Sequence, residues 1–396
     1  MSWRQLPADP GTGMIVATMD GRRPDALNRP PHTRGSMNVC RVRIGIMALY
    51  LLTLAPLSAH SQVPTPTAAG TRRIVRVLLN AGLSGANSWL LLADTRGYFR
   101  YEGIDVVFTP GRGAYTAATR IVQDTFDFGF GDINALVEES SIRPETAPVG
   151  VFMLFNQSPS AIILRKDSPV TTVKQLAGKT IIGHPTDVAL NTFDALAARA
   201  GLAPGLVNVK PDTSGWTGLL DALEQGHVDG VFGYLTTSMA NVESSGRDIE
   251  STLKFIRYRD QVPELYGSAL MASRAMVDRD PVIVRAFVRA ANRGLAATVN
   301  DPDAAIAELL RREPTQRAEV ERNRLLRTLN GDMGAAEGQR IGIGDIDAKR
   351  MTLAIRMMHD ACRLPRTPAW NEIFSRDFLP ALSDRVRTLG ELAPAR

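Results

Sequence analysis

At 396 residues, with 44% hydrophobic and 22% charged side chains, the chain is that of a soluble globular protein, and it is too long for one ordinary core. Its formal net charge is +5, but residues 1–61 hold seven Arg and three Asp, so the remainder carries 39 basic against 38 acidic residues, which argues against a nucleic-acid surface. Two cysteines, Cys40 and Cys362, exclude a disulfide framework or a thiolate metal cluster.

Residues 1–36 are rich in Pro, Arg and Gly and have no apolar period. They read as disorder or as an extension ahead of a misassigned start, with Met37 as the start. Residues 37–61 read as a signal peptide: Arg41 and Arg43 form its basic region, residues 44–57 its apolar run, and Ala59-His60-Ser61 a cleavage site. A permanent anchor needs about 20 apolar residues. The chain is therefore expected in a bacterial periplasm, with an uncleaved leader as the alternative; Cys40 precedes the apolar run and is not placed for lipid attachment. Residues 62–72 form a Pro-rich linker.

From residue 74 the pattern becomes that of alternating strands and helices. Residues 74–80 are a buried strand, residues 81–88 a loop of small residues, and Trp89 opens a helix that Asn87 or Ser88 caps and Gly97 ends. Residues 104–108 are the next strand, 111–122 a second small-residue loop and helix, and 126–132 a third strand. Crossovers of this length predict parallel pairing, with three loops opening on one sheet edge, where open α/β sheets bind ligands.

Gly97-Tyr98-Phe99, then residues 102–106 (EGIDV), then 127–132 (DFGFGD), resemble the opening domain of the periplasmic solute-binding proteins that serve thiamine-pyrimidine precursors, alkanesulfonates, taurine and nitrate. Residues 168–183 resemble that family's entry into its second domain, and residues 222–231 a later strand motif. The resemblance covers residues 74–256 in order. It implies an α/β protein with the type II two-lobed fold: two sheets flanked by helices, with hinge strands between the lobes. It also implies partners, an ABC permease and its ATPase.

Residues 148–157 and 160–165 read as successive strands with no helix between them, so the crossing into the second lobe is placed at residues 157–160. The second lobe is expected to hold a helix at 172–176, strands at 179–184, 206–209 and 228–232, and helices at 188–200, 215–225 and 238–242. The return crossing is placed at 253–258, and helices at 282–299, 302–312, 317–329, 345–361 and 370–389 are expected to wrap the first lobe. The first lobe is thus residues 73–158 and 259–396, the second 159–258.

His184, His227 and His359 sit in separate contexts, none beside a Ser or Cys in a nucleophile elbow. Gly129-Phe130-Gly131 lacks the later glycine and acidic residue of a dinucleotide site. The mixed charges of residues 311–327 read as a solvated helix face, and Gly342 to Asp345 as a helix cap. No catalytic residue, metal or cofactor is therefore expected, and no enzyme activity.

The binding reading gathers residues at strand ends. From the first lobe come Ser84, Gly85, Asn87, Trp89, Arg112, Gly131, Asp132 and Asn156; from the second come Pro185, Thr186, Asp187, Trp216, Tyr234 and Thr236. Trp89, Trp216 and Tyr234 are suited to stack on a flat ligand, and Arg112 to pair with a sulfonate or carboxylate if it points inward. The reading is a monomeric substrate-binding component of an ABC importer. It favours a planar, pyrimidine-like heteroaromatic solute over a sulfonate or taurine. An enzyme on the same scaffold, or a periplasmic sensor input, is the alternative.

Overall fold

The structure, a computed structural model, describes residues 72–389. The expectations for the extension, the leader and the linker up to residue 71 lie outside the described residues.

Ten strands fall in chain order: β1 Arg73–Leu78, β2 Ile104–Thr109, β3 Phe128–Asp132, β4 Val149–Met153, β5 Ser160–Arg165, β6 Thr180–Gly183, β7 Asn208–Pro211, β8 Gly230–Tyr234, β9 Leu253–Arg257 and β10 Ser268–Ala272. They form two five-stranded sheets, ordered β2-β1-β3-β10-β4 and β7-β6-β8-β5-β9. The first three strands pair in parallel, as their crossovers predict. β10 enters antiparallel between β3 and β4. In the second sheet β6 runs parallel to β7 and β8, while β5 lies antiparallel between β8 and β9. The fold is α/β with two lobes, and both sheets are mixed.

The chain passes from the first sheet to the second between β4 and β5 and returns between β9 and β10. Both passages lack a long helix, so their backbone can bend without breaking one.

Strands β3, β4 and β10 are buried along their whole length, which is why their sequences read as continuous apolar and glycine runs. A Cβ on Gly131 would lie 2.2 Å from the Ala117 Cβ. Glycine there lets the helix Ala117–Gln123 rest directly on the sheet. The helix Pro281–Asn300 covers another part of the first sheet, with Phe287 stacked on Phe128 and Phe99.

Some boundaries differ from those the sequence predicts. The helix expected at 188–200 is split into Val188–Asn191 and Phe193–Arg199. Thr192 sits at the break, its hydroxyl donating to the Val188 carbonyl at 2.7 Å, a local bond that competes with the helical pattern. The strand expected at 206–209 is found at Asn208–Pro211. The long last helix is absent: Trp370–Ile373 is one turn, followed by short 3-10 turns at Arg376–Phe378 and Leu382–Asp384. Pro380 lies between those turns and cannot donate to a continuous helix. Gly344 is not a cap either: at φ +115 it exchanges two backbone hydrogen bonds of 2.9 Å with Met153, and Asp347 caps the following helix instead.

Candidate functional site

The carboxyl ends of β1, β2, β6 and β8 converge on a cavity of about 230 Å³ between the two sheets. After β1 the wall is made by Asn80, Ala81, Ser84 and Ala86, and after β2 by Gly113 and Ala114. The second lobe adds His184, Thr186, Asp187 and Val188 after β6, and Tyr234, Thr236 and Thr237 after β8. Phe155, from the passage between the sheets, and Arg324, from the helix Ala318–Arg327, complete the lining.

The lobes meet around this cavity through direct hydrogen bonds. Tyr234 donates its hydroxyl to Asp132 at 2.9 Å, and Thr186 donates to the Arg112 carbonyl at 3.0 Å. Thr236 donates to Asp332 at 3.3 Å, Arg324 to Thr237 at 2.9 Å, and Arg327 holds both Glu243 oxygens at 2.8 and 2.6 Å. These contacts describe a closed cleft.

Two carboxyls at this seam are wholly buried, and a third, Asp187, is half-buried in the cavity wall. Asp132 is wholly inaccessible and is pushed up to about 7 by burial, against the opposing pull of hydrogen bonds from Asn134 and Tyr234. Asp332 is likewise pushed up to about 7 by burial, with the Arg259 charge acting the other way. Asp187 caps the helix Val188–Asn191 by accepting from the Ala189 amide at 2.7 Å, and burial raises it to about 6. Burial also lowers the Arg324 guanidinium.

Five of the residues expected at the site line the cavity: Ser84, Thr186, Asp187, Tyr234 and Thr236. Asp132 stands directly behind Tyr234. The others are placed elsewhere. Gly85 faces the helix Ala318–Arg327: its amide donates to Glu321 at 2.6 Å, and a Cβ there would lie 2.1 Å from the Glu321 carbonyl oxygen. Asn87 is used up within its own loop, accepting from the Ser84 amide at 3.0 Å and donating to the Gly82 carbonyl at 3.0 Å. Gly131 packs on Ala117.

Neither tryptophan reaches the cavity. Trp89 is fully buried in the first lobe's core, edge-on to Phe130, because it begins the helix on that helix's inward side. Trp216 lies half-buried against a separate apolar cluster of the second lobe. Arg112 is exposed and offers only its carbonyl across the cleft; its side chain borders an outer groove with Tyr115 and Arg120. Pro185 is exposed. Asn156 is buried beside the C-terminal segment, its amide 3.4 Å from Glu337 and its carbonyl accepting from Arg350 at 2.7 Å.

His184, which the sequence marks only as a histidine without a neighbouring nucleophile, lies in the cavity wall, with Nδ1 2.8 Å from the Thr186 hydroxyl. Sequence reasoning missed Asn80, Phe155, Thr237 and Arg324 altogether. The solvated-face reading of residues 311–327 is corrected at Arg324 and Arg327, whose side chains are 12% and 16% exposed. A signal existed: Arg324 lies four residues after Val320 and one before Leu325, and so on the helix's apolar side.

Among the described residues no group of three His, Cys, Asp or Glu could hold a metal ion, and no helix is long and apolar enough to cross a membrane.

The NMT1/THI5-like family model matches residues 87–305. The chain is 24% identical over 352 residues to the riboflavin-binding protein RibY of Chloroflexus aurantiacus, covering 85% of this chain and 97% of that one. It is 23% identical over 261 residues to the 4-amino-5-hydroxymethyl-2-methylpyrimidine phosphate synthase of Legionella pneumophila, covering 64% and 78% respectively. In three dimensions it is similar to the alkanesulfonate-binding protein SsuA of Xanthomonas axonopodis pv. citri bound to MOPS, with a TM-score of 0.59 at 15% identity, over 77% of this chain and 99% of that one. That likeness is one of fold, the two-lobed fold of periplasmic binding proteins. Since the family model takes in more than half of its length, the chain belongs to the NMT1/THI5-like family.

Proposed function

We propose that this chain is the exported substrate-binding component of an ABC importer, which encloses a small organic solute between its lobes and hands it to a membrane permease with its ATPase. The observation that carries the reading is the cavity of about 230 Å³ walled by strand ends from both sheets, with hydrogen bonds passing from one lobe to the other around it. A ligand held in this way is released only when the lobes part, and hinge opening suits delivery to a partner.

The volume lies below the roughly 300–1,000 Å³ of ordinary ligand pockets, so in this closed form a single substituted ring is a better match than a fused tricycle. Phe155, His184 and Tyr234 in the lining supply flat faces in place of the two buried tryptophans. They keep the preference for a planar, pyrimidine-like heteroaromatic solute over taurine or an alkylsulfonate.

The synthase relatives make an enzyme on the same scaffold the rival reading. Supporting non-covalent capture, Cys362 is the free cysteine among the described residues, and burial pushes its thiol up to about 12, away from nucleophilic use. It borders a separate groove with Asp194 and Leu202.

The test is a thermal-shift screen of the purified chain against pyrimidines, flavins, sulfonates, taurine and nitrate, followed by recovery of the ligand. A pyrimidine is expected to raise Tm by mass action and to be recovered unchanged. Conversion of the ligand would overturn the transport reading, and a shift with sulfonates alone would overturn the ring preference.

A further inference from the structure

Arg324 is the Lys or Arg that lines the cavity among the described residues, and its donors are incompletely used. Its side chain is 12% exposed. Nη2 donates to the Thr237 hydroxyl at 2.9 Å, whereas Nε is buried without a partner. The nearest carboxylate oxygen, Glu321 Oε1, forms an ion pair with Nη1 at 3.6 Å, too long for a hydrogen bond. The other oxygen of Glu321 is committed to the Gly85 amide at 2.6 Å.

A guanidinium carries five donors in a fixed planar fork, and leaving them unmade in a buried place is costly. A carboxylate, sulfonate or phosphate offers the matching pair of acceptors. Asp187 and Asp332 do not serve: the first is turned to its own helix cap and the second to Thr236.

We infer that the solute carries an anionic group and that Arg324 receives it, so that the helix Ala318–Arg327 sets the charge class of the ligand. Because the same guanidinium also holds Thr237 of the second lobe, the anion arrives at a side chain that already spans the cleft. Docking of the anion thereby completes the contact that keeps the lobes together. This inference rests on the binding-protein reading above and adds to it a property that reading leaves open.

The experiment uses calorimetric titration of the purified chain with orotate and uracil, which share a ring and differ by a carboxylate, and with methanesulfonate as an acid without a ring. Orotate is expected to bind about ten- to a hundredfold more tightly than uracil, the range that a charged hydrogen-bonded pair contributes. Arg324→Gln is expected to weaken both ligands, because it also loses the contact to Thr237, and to abolish the ratio between them, while Arg324→Lys retains part of it. Thr237→Val weakens both ligands and preserves the ratio, since it breaks the lobe contact without removing the charge.

Equal affinity for orotate and uracil, or a ratio that survives in Arg324→Gln, overturns the inference. Should Arg324→Gln fail to fold, Arg324→Lys decides, a ratio as large as that of the wild type overturning the inference. If methanesulfonate binds in an Arg324-dependent way and neither ring does, the inference stands and the heteroaromatic preference falls. If uracil binds and no acid does, the reverse holds. Absence of binding by all three overturns both.

Discussion

The loop at residues 79–88 and the helix Ala318–Arg327 adjoin one another in the wall of the same cavity, and they contribute in opposite ways. The loop, with its small residues and capping side chains, resembles a binding loop, yet Asn87 and Gly85 direct their polar groups into the loop and the adjoining helix. The helix, with alternating charges, resembles a solvent-facing one, yet it delivers Arg324 to the cavity and Arg327 to Glu243 of the other lobe. Glycine and small-residue patterns report where backbone must come close. They do not report which side chain a late element will bring to the space left over.

The contrast is broken or sharpened most strongly at Trp89. As a core residue with no exposed surface, Trp89→Ala is expected to cost about 3–5 kcal/mol of unfolding free energy in denaturant titration. A variant with native stability and lost ligand affinity would return Trp89 to the binding wall.

Next in size is the Arg327–Glu243 pair, bidentate and 16% and 19% exposed. A double-mutant cycle with Arg327→Ala and Glu243→Ala, read by equilibrium unfolding, is expected to give a coupling of about 1–2 kcal/mol. A coupling near zero would mean that the helix does not clamp the second lobe.

The remaining effect, read as the shape of a pH profile, concerns Asp132. Burial pushes its carboxyl up to about 7 in the folded chain from an ordinary 3.8, so between those values the folded state holds a proton that the unfolded state does not. Its contribution is most favourable below about pH 4 and is lost as pH rises through about 7. Asp132→Asn is expected to reduce the fall in Tm between about pH 5 and pH 8, and an unchanged profile would remove Asp132 as its source.

The strands and their parallel pairing were legible because period and glycine position are local properties: residues 74–80, 104–108 and 126–132 carry them in their own composition. So were Asp132 and Asp187, each the residue that begins a helix after a strand. Trp89 was misplaced because helix position alone does not say which side faces a second helix, here Pro281–Asn300, nearly two hundred residues later in the chain. Arg324 and Thr237 meet across the cleft at a sequence separation of 87 residues, and no local pattern encodes that meeting. Of the cavity residues that were missed, Arg324 comes from such a long-range encounter, whereas Asn80 and Thr237 sit just past a strand, as those found do. Those found sit at strand ends, where the chain's own periodicity stops.

β10 joins β3 to β4 within the first sheet, although it follows the whole second sheet in the chain. The early strands of the first lobe therefore cannot be completed while the polypeptide is being made until residue 272 has appeared. Until then β3 keeps a bare edge and β4 has no neighbour within its sheet. Assembly of the molecule is consequently not sequential by lobe: the part begun first is finished last, and a truncation before residue 268 would leave a sticky half-sheet rather than an independent unit.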